Sequence, residues 1–519
     1  MAILGQESCV PVDDCKAEFP PSNADIVVST KRKSANVVAS LDEALTKVRA
    51  GGVIAIDSGT WGSTSLKKDV TLVGRCAKDT IVGNGKNNAI YISGSAHVSA
   101  RSLTLVSRSS PIAVQSGTFE GERLIVTEAV VGIAASGKEA KAHVSHSLVI
   151  GLGTDQMSLG AMAGQGGSLV LEDSEIRNVA SGVLVTDTGS NGLVKNSVVG
   201  LVAGPSTQTG LEANANGHLD FVGSVIHSQA QRLVGLHADT GTLGASPAFG
   251  TVSIRQSILE QAGAEMRSGT PIVINGGEVE FVDVTVRHQA QVGILGGILG
   301  GQRAKIRLER TAILGSPAQA TMRAAIMTRG PVKLEATGLA IPWAQGVGIG
   351  IEKGTLDLIQ SLVANVASRG NAQEALLVSQ GSATVTECEI AGVEGTGIVG
   401  IAQSNLDVQR TYIHHSHLDD GNKSFGILAL HTNASVQGCL LEDNGEAIAA
   451  AGGAVAVGDS VIRNHSVAFR AMDGMSFGEE ARDLSDGTFA FAGCRFESNA
   501  QTTSTETLPD LEAPRSAQR

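Results

Sequence analysis

The stretch "LEDSEIRNVASGVLV" (171–185) decides the fold. It carries two signals. The first is an apolar residue, a small residue three later and another apolar residue two beyond that: Leu171, Ser174 and Ile176. The second is a glycine followed by an aliphatic residue, Gly182-Val183. In a strand, residues two apart share a face, so Ser174 and Ile176 point the same way. Leu171 lies an odd number of residues from Ser174. All three face inward only if a bend absorbs one residue.

Both signals recur. The first reads "VKNSVV" at 194–199, "FVGSVI" at 221–226, "IRQSIL" at 254–259, "LERTAI" at 308–313 and "LEATGL" at 334–339. It continues as "LIQSLV" at 358–363, "VTECEI" at 385–390, "VQRTYI" at 408–413, "VQGCLL" at 436–441, "VGDSVI" at 457–462 and "FAGCRF" at 491–496. The second follows at Gly182, Gly235, Gly293, Gly348, Gly397, Gly426 and Ala447. The period is about 20–30 residues, giving about sixteen turns between Val70 and Phe496. Short strands meeting at bends, unable to bury their inner face alone, describe the coils of a solenoid. The small positions then stack into an inward column: Ser147, Ser174, Ser197, Ser224, Ser257, Thr311, Thr337, Ser361, Cys388, Thr411, Cys439, Ser460 and Cys494.

Composition agrees. The 519 residues include 64 Gly and only 3% aromatics, and the 42% hydrophobic content is mostly small or branched. This suits short strands with tight bends. The formal charge of −12 argues against a nucleic-acid surface. No apolar run reaches membrane-spanning length. The start "MAILGQESC" lacks a basic lead and an apolar core, so no export signal is read in the chain as given, which begins as if a leader were missing.

The column separates Cys388, Cys439 and Cys494 by two rungs each, roughly 9.5 Å, too far for a disulfide, so all three read as buried thiols. Cys9, Cys15 and Cys76 remain, and one pair among them is expected if the protein is exported. "SLDEALTKVRAGG" (40–52) reads as a short helix over 40–50, with Ser40 as N-cap, Glu43 closing a capping box and Gly51 ending it. It would cover the open end of a solenoid. The expected organisation is a Cys-containing leader segment (1–34), the solenoid with its helix (35–500) and a disordered polar tail (501–519).

The order of helix, "GGVIAIDSGTW" (51–61), "VTLVGRC" (70–76) and degenerate coils resembles the entry of bacterial right-handed parallel β-helix proteins of the pectate-lyase-like superfamily. The resemblance covers roughly residues 35–500. It implies an all-β, single-stranded right-handed parallel β-helix of about sixteen coils with a short N-terminal capping helix. It also implies a secreted or cell-surface location. Members include polysaccharide lyases, glycoside hydrolases, epimerases, phage tailspikes and surface proteins without known catalysis.

The catalytic signatures of the resemblance fail. The hydrolase branch combines Asn-x-Asp, Asp-Asp, Gly-His-Gly and Arg-x-Lys in that order. Here Asp419-Asp420 is the one late Asp-Asp pair, Gly-His-Gly is missing, and Arg303-x-Lys305 precedes the acidic pair. The lyase branch needs carboxylates clustered on neighbouring rungs around calcium, plus a base, and the sequence shows no such acidic stack. Trp61 reads as packing. Trp343, after Pro342, is the weak candidate for ligand binding.

The densest chemistry lies in "YIHHSHLDDG" (412–421). His414 falls in a column with Arg177, His227, Glu260, Arg287, Glu442, Arg463 and Glu497; His415 falls in the next, with Asn178, Ser228, Gln261, His288, Asp443, Asn464 and Ser498. Both columns read as solvated ladders. His417, Asp419, Asp420 and Lys423 ride on an insertion that the coil does not require. They are the weak catalytic candidates, and His417 with Asp419 the weak metal candidates. The reading is a secreted or surface β-helix with a binding, adhesive or structural role and no evident catalysis or cofactor. Its partner is a polysaccharide or a surface partner. The alternative is a polysaccharide-active lyase or hydrolase on an acidic glycan, the lyase with calcium. A third reading is a rigid spacer.

Overall fold

A single left-handed residue makes the bend that the repeat requires. Asp173 (φ 48°) stands immediately before Ser174, Asn196 (49°) before Ser197 and Gly223 (57°) before Ser224. The same device precedes Leu103, Leu124, Ser147, Ser257, Thr311, Ser361, Cys388, Thr411, Cys439, Ser460 and Cys494. A left-handed residue turns the chain sharply, so the next side chain faces the interior again. Gly338 (65°) is the bend of its coil, which makes Leu339 the inward residue there. This corrects the assignment of Thr337, which is exposed at the end of the strand Val332–Thr337.

The computed structural model describes residues 1–2, 9–153, 158–202, 209–228, 232–236, 249–261, 270–288, 291–297, 303–315, 324–367, 373–417, 424–472 and 487–504. The chain divides into two units, Met1–Gly263 and Ala264–Arg519. Each is a stack of coils in which three strands recur and every inter-coil strand pair is parallel. Among the described residues the recurring strands form three sheets, and Ala344–Gln345 pairs with Val366–Ala367 in a separate two-stranded one. In unit one, one coil contributes Ser168–Glu172 to the first sheet, Glu175–Val179 to the second and Ser181–Val185 to the third. In unit two, an equivalent coil runs Asn405–Gln409, Tyr412–His414 and then Phe425–Leu430. The second sheet has nine strands in each unit among the described residues. This is the expected parallel β-helix.

The core lies between the sheets of each unit. Ile54, Leu72, Val98, Phe119, Val144, Leu171, Val194 and Phe221 are buried on the inner face of the first sheet in unit one. Their neighbours along each strand alternate outward, as period-two geometry requires. The glycines of the second signal have a steric reason. A Cβ on Gly182 would meet the Gly210 carbonyl oxygen at 2.3 Å, and one on Gly348 would meet that of Ala375 at 2.4 Å. The strand Arg232–Leu236 departs from the expected register, because Leu233 rather than Gly235 pairs into that column.

The helix α1 (Leu41–Lys47) forms where expected. The Ser40 side chain accepts from the Glu43 amide at 3.2 Å, and Leu41 and Ala44 are buried. The helix stops earlier than the sequence suggested. Val48 is the C-cap in extended conformation, and Gly51 (75°) serves the next turn instead. Ahead of it, Ile26–Val28 pairs in parallel with Gly52–Ile56 and joins the first sheet. Cys15 and Cys76 form a disulfide, and Cys9 is exposed and free. Beside this link, buried Asp57 accepts from Ser29 Oγ (2.8 Å), Arg75 Nη1 (3.1 Å) and the Ser58 amide (2.9 Å). Burial pushes its carboxyl up, but these hydrogen bonds outweigh burial and hold it below the usual range. No helix among the described residues is long and apolar enough to cross a membrane.

Candidate functional site

Outward positions of the first sheet are held by backbone pairing, so their side chains line up in rows across the strands. In unit one the rows are charged. Thr71, Ser99, Arg101, Glu120, Glu122, His143 and Ser145 line an open groove of about 380 Å³. Glu120 and Glu122 project from one strand to the same side. Arg123 is ion-paired with Glu122 (3.4 Å), and His97 and His143 place a ring nitrogen 3.6 Å from Glu120 and 3.7 Å from Glu172. Lys195 reaches Glu172 at 2.6 Å and holds that carboxyl below its ordinary range.

In unit two the rows become mostly uncharged along the stack. Salt bridges Lys305–Glu278 (3.2 Å) and Lys305–Glu335 (3.5 Å) occupy the early strands. Later strands align Ser382 with Asn405 and Asn433, Thr384 with Asp407 and Ser435, and Thr386 with Gln409 and Gln437. An open groove of about 530 Å³ lies here, with Asn405, Asn433, Ser435, Ala454, Ala456 and Ala490 in its lining.

The outward face of the second sheet in unit two gathers the third cluster. Strand register sets His414 beside Ala391 on one side and Glu442 on the other. Tyr412 and His414, two apart on one strand, stack with centroids 3.9 Å apart. The Tyr412 hydroxyl donates to Glu442 Oε2 (2.7 Å), and Arg463 Nη2 lies 2.7 Å from Glu442 Oε1. Burial, then the Glu442 carboxylate, push the Tyr412 phenol up to about 12. Hydrogen bonds from Arg463 and Tyr412 hold Glu442 below its usual range. His414 Nε2 meets Glu389 Oε1 at 3.2 Å.

These contacts correct the solvated-ladder reading at His414 and Glu442, whereas Arg177, His227 and Arg287 of the same column are exposed. The His414 side chain is 14% exposed and that of Glu442 15%. Ser228, Gln261 and His288, assigned to the next ladder, are buried. That column mixed two geometries. Where the second-sheet strand ends in a left-handed residue, as at Asn178, His415, Asp443, Asn464 and Ser498, the residue is exposed and its successor turns inward. Where the strand continues, as in Val225–Ser228 and Ile258–Gln261, the same position is itself inward. Sequence reasoning missed the inward row that results: Ser416, Asn444, His465 and Asn499. The Ser416 amide donates to Asn444 Oδ1 (3.0 Å), the Asn444 amide to His465 Nδ1 (3.2 Å) and the His465 amide to Asn499 Oδ1 (3.0 Å).

Of the residues singled out in sequence, His417 is exposed, with Nδ1 3.1 Å from the His415 carbonyl oxygen. Asp419, Asp420 and Lys423 lie outside the described residues. Trp343 is half-buried between the short strands Ala340–Ile341 and Ala344–Gln345, and lines neither groove.

No family model matches the chain, and no curated protein matches it significantly. Solved structures to which it is similar include the catalytic unit of a GH87 α-1,3-glucanase from Streptomyces thermodiastaticus, 10% identical over 94% of this chain and 70% of that one, with a TM-score of 0.29. A pectin methylesterase in complex with a hexasaccharide is 13% identical over 52% of this chain and 81% of that one, at a TM-score of 0.26. An alginate lyase is 11% identical over 97% of this chain and 94% of that one, at a TM-score of 0.24.

Proposed function

We propose that this protein is an exported β-helix that binds a polysaccharide on the outward face of its first sheet in unit two. The rows Ser382–Asn405–Asn433, Thr384–Asp407–Ser435 and Thr386–Gln409–Gln437 carry the reading. Parallel strands repeat at about 4.8 Å, close to the length of one sugar unit. A glycan crossing these three strands therefore meets amides and hydroxyls at each rung, with one carboxylate, Asp407, among them. Such groups hydrogen-bond sugar hydroxyls without the desolvation cost of buried charge. The Cys15–Cys76 disulfide supports an oxidising, extracellular setting.

One observation favours the enzyme alternative. The unit-one groove brings Arg101, Glu120, Glu122 and His143 together. Two carboxylates projecting to one side are the minimal apparatus of glycoside hydrolysis, and Arg101 suits the carboxylate of an acidic sugar. Affinity electrophoresis against neutral and acidic polysaccharides separates the readings. Binding reduced at least tenfold by Asn405→Ala with Asn433→Ala, without new reducing ends or unsaturated product with or without calcium, is the expected result. Turnover abolished by Glu120→Gln, with binding untouched by the asparagine changes, would replace it.

A further inference from the structure

His414 and His415 are neighbours in sequence, and in a regular strand their side chains would point to opposite faces. They do not, because His415 (φ 56°) is the left-handed residue that ends its strand. The bend swings its ring back towards that of His414. The rings meet edge to face with centroids 4.8 Å apart, and the two Nδ1 atoms lie 2.5 Å apart.

Both far nitrogens face carboxylates. His414 Nε2 lies 3.2 Å from Glu389 Oε1, a hydrogen bond that orients its ring, and His415 Nε2 lies 3.8 Å from Asp443 Oδ2. The two Nδ1 atoms converge on one point, and a positive centre there, a proton or a cation, joins them. Metal-bound histidines have this arrangement, with the distal N–H given to a carboxylate that orients the ring and raises its basicity.

We propose that the Nδ1 atoms of His414 and His415 bind a first-row divalent cation, zinc or copper(II), braced by Glu389 and Asp443. Imidazole nitrogen selects these ions over calcium or magnesium. Bonds of about 2.0–2.1 Å to each nitrogen need the two atoms about 3.3 Å apart at a tetrahedral angle or about 2.9 Å at a right angle, an opening of the pair. His415 has room to supply it, because its side chain is 54% exposed. Positions not filled by the two nitrogens are left to water or to an anionic group of a ligand. The site lies on the second sheet and is independent of the glycan-binding rows.

The test uses the full chain carrying Cys9→Ser, which removes the exposed thiol as a competing ligand. Zinc chloride is titrated by calorimetry, and copper(II) chloride is added for electron paramagnetic resonance. One equivalent per chain and a copper signal split by two ring nitrogens are expected. His414→Ala and His415→Asn each weaken binding at least tenfold; asparagine is chosen because it tolerates the left-handed backbone. Glu389→Gln weakens binding about tenfold by loosening the His414 ring. His227→Ala, at an exposed histidine paired with Glu260 (3.1 Å), changes nothing. Unchanged affinity in the His414 and His415 variants, or a copper signal without two ring nitrogens, overturns the proposal and assigns the gap to a shared proton.

Discussion

The two units build the same bend from different atoms. In unit one the inward column is a run of serines, and each hydroxyl does two jobs. Ser174, Ser197, Ser224 and Ser257 each accept the amide of the inward residue one coil earlier, at 3.0–3.1 Å. Each also donates to the carbonyl two residues before itself, at 2.6–2.8 Å. In unit two hydroxyls and thiols alternate. Thr411 and Ser460 accept the amides of Cys388 (3.4 Å) and Cys439 (3.1 Å). Cys388, Cys439 and Cys494 donate to their own carbonyls two residues back, at 3.2–3.6 Å. Sulfur is a weak acceptor, so a thiol keeps the local half of the serine's role and gives up much of the inter-coil half. Burial pushes all three thiols above their ordinary range, which keeps them protonated and unreactive.

The steric column of the third sheet differs in the same sense. Unit one places Gly132, Gly160, Gly182 and Gly210 against successive carbonyls, whereas unit two admits Ala325, Ala375 and Ala447. Gly182→Val should cost about 3 kcal/mol, because the obstructing atom is backbone and cannot rotate away. Ala447→Gly should change stability by only about 1 kcal/mol. Thermal midpoints measured by calorimetry check both, and equal losses would erase the contrast.

Next in size are the bends themselves. Ser197→Ala leaves the Ser174 amide buried without its acceptor, a loss of about 2 kcal/mol. Cys439→Ser, nearly isosteric, should stay within about 1 kcal/mol of the parent. A serine in unit two that costs as much as its removal in unit one would show that the thiols are chosen for volume.

A pH experiment sharpens the comparison on the second bend. His465 replaces an asparagine-like group in the row Ser416–Asn444–His465–Asn499. Its Nδ1 accepts from the Asn444 amide, and its Nε2 lies 3.1 Å from the Leu441 carbonyl oxygen. Nδ1 also lies 3.0 Å from the Asn444 carbonyl oxygen, so both ring nitrogens face backbone carbonyls in a buried setting. Burial depresses its affinity for a proton, against the opposing pull of the Asn444 and Leu441 carbonyls and of Asp443 and Glu442. The unfolded chain therefore takes up a proton that the folded chain refuses. Stability should be unaffected above the ordinary imidazole range and fall as pH drops through and below it. His465→Asn should remove that part of the acid loss. An unchanged acid profile in this variant would mean that the ladder does not depend on the neutral ring.

The smallest effect concerns the left-handed residues. Asn196→Gly should stabilise by less than about 1 kcal/mol, and Gly223→Val should destabilise by about 1–2 kcal/mol. Both are read from denaturant midpoints.

Much of this was legible in sequence, and the misses have physical causes. The serine column could be read because one small residue recurs at a fixed offset from two apolar ones. Thr337 was misplaced because "LEATGL" satisfies that template, whereas the true "ATGLAI" (336–341) puts Leu339 where the template expects a small residue. Period-two alternation makes a shift of two residues invisible, and only the left-handed Gly338 breaks the tie. The cluster around His414 was underestimated for a related reason. Register predicted its column correctly, but adjacency in sequence implies opposite faces for His414 and His415. The bend that brings them together shows only in φ. The second half of that stretch, with Asp419, Asp420 and Lys423, drew attention because it departs from the repeat, whereas the contacts seen belong to residues that obey it.

The left-handed residue beside each inward position has one more consequence. Every L-amino acid pays a steric penalty there, least for asparagine and aspartate, and glycine pays only its backbone entropy. A scan replacing each residue in turn by glycine would therefore give a comb. Most positions in strands would lose stability, and teeth at His146, Asp173, Asn196, Gln256, Asp283, Arg310, Gln360, Glu387 and Arg410, with Gly223 and Gly338 already glycine between them, would hold or gain it. The interval between teeth is the contour length of a coil, and an insertion appears as a widened gap. Growth under thermal selection would then record how this chain is wound, coil by coil, in the tolerance of its mutants.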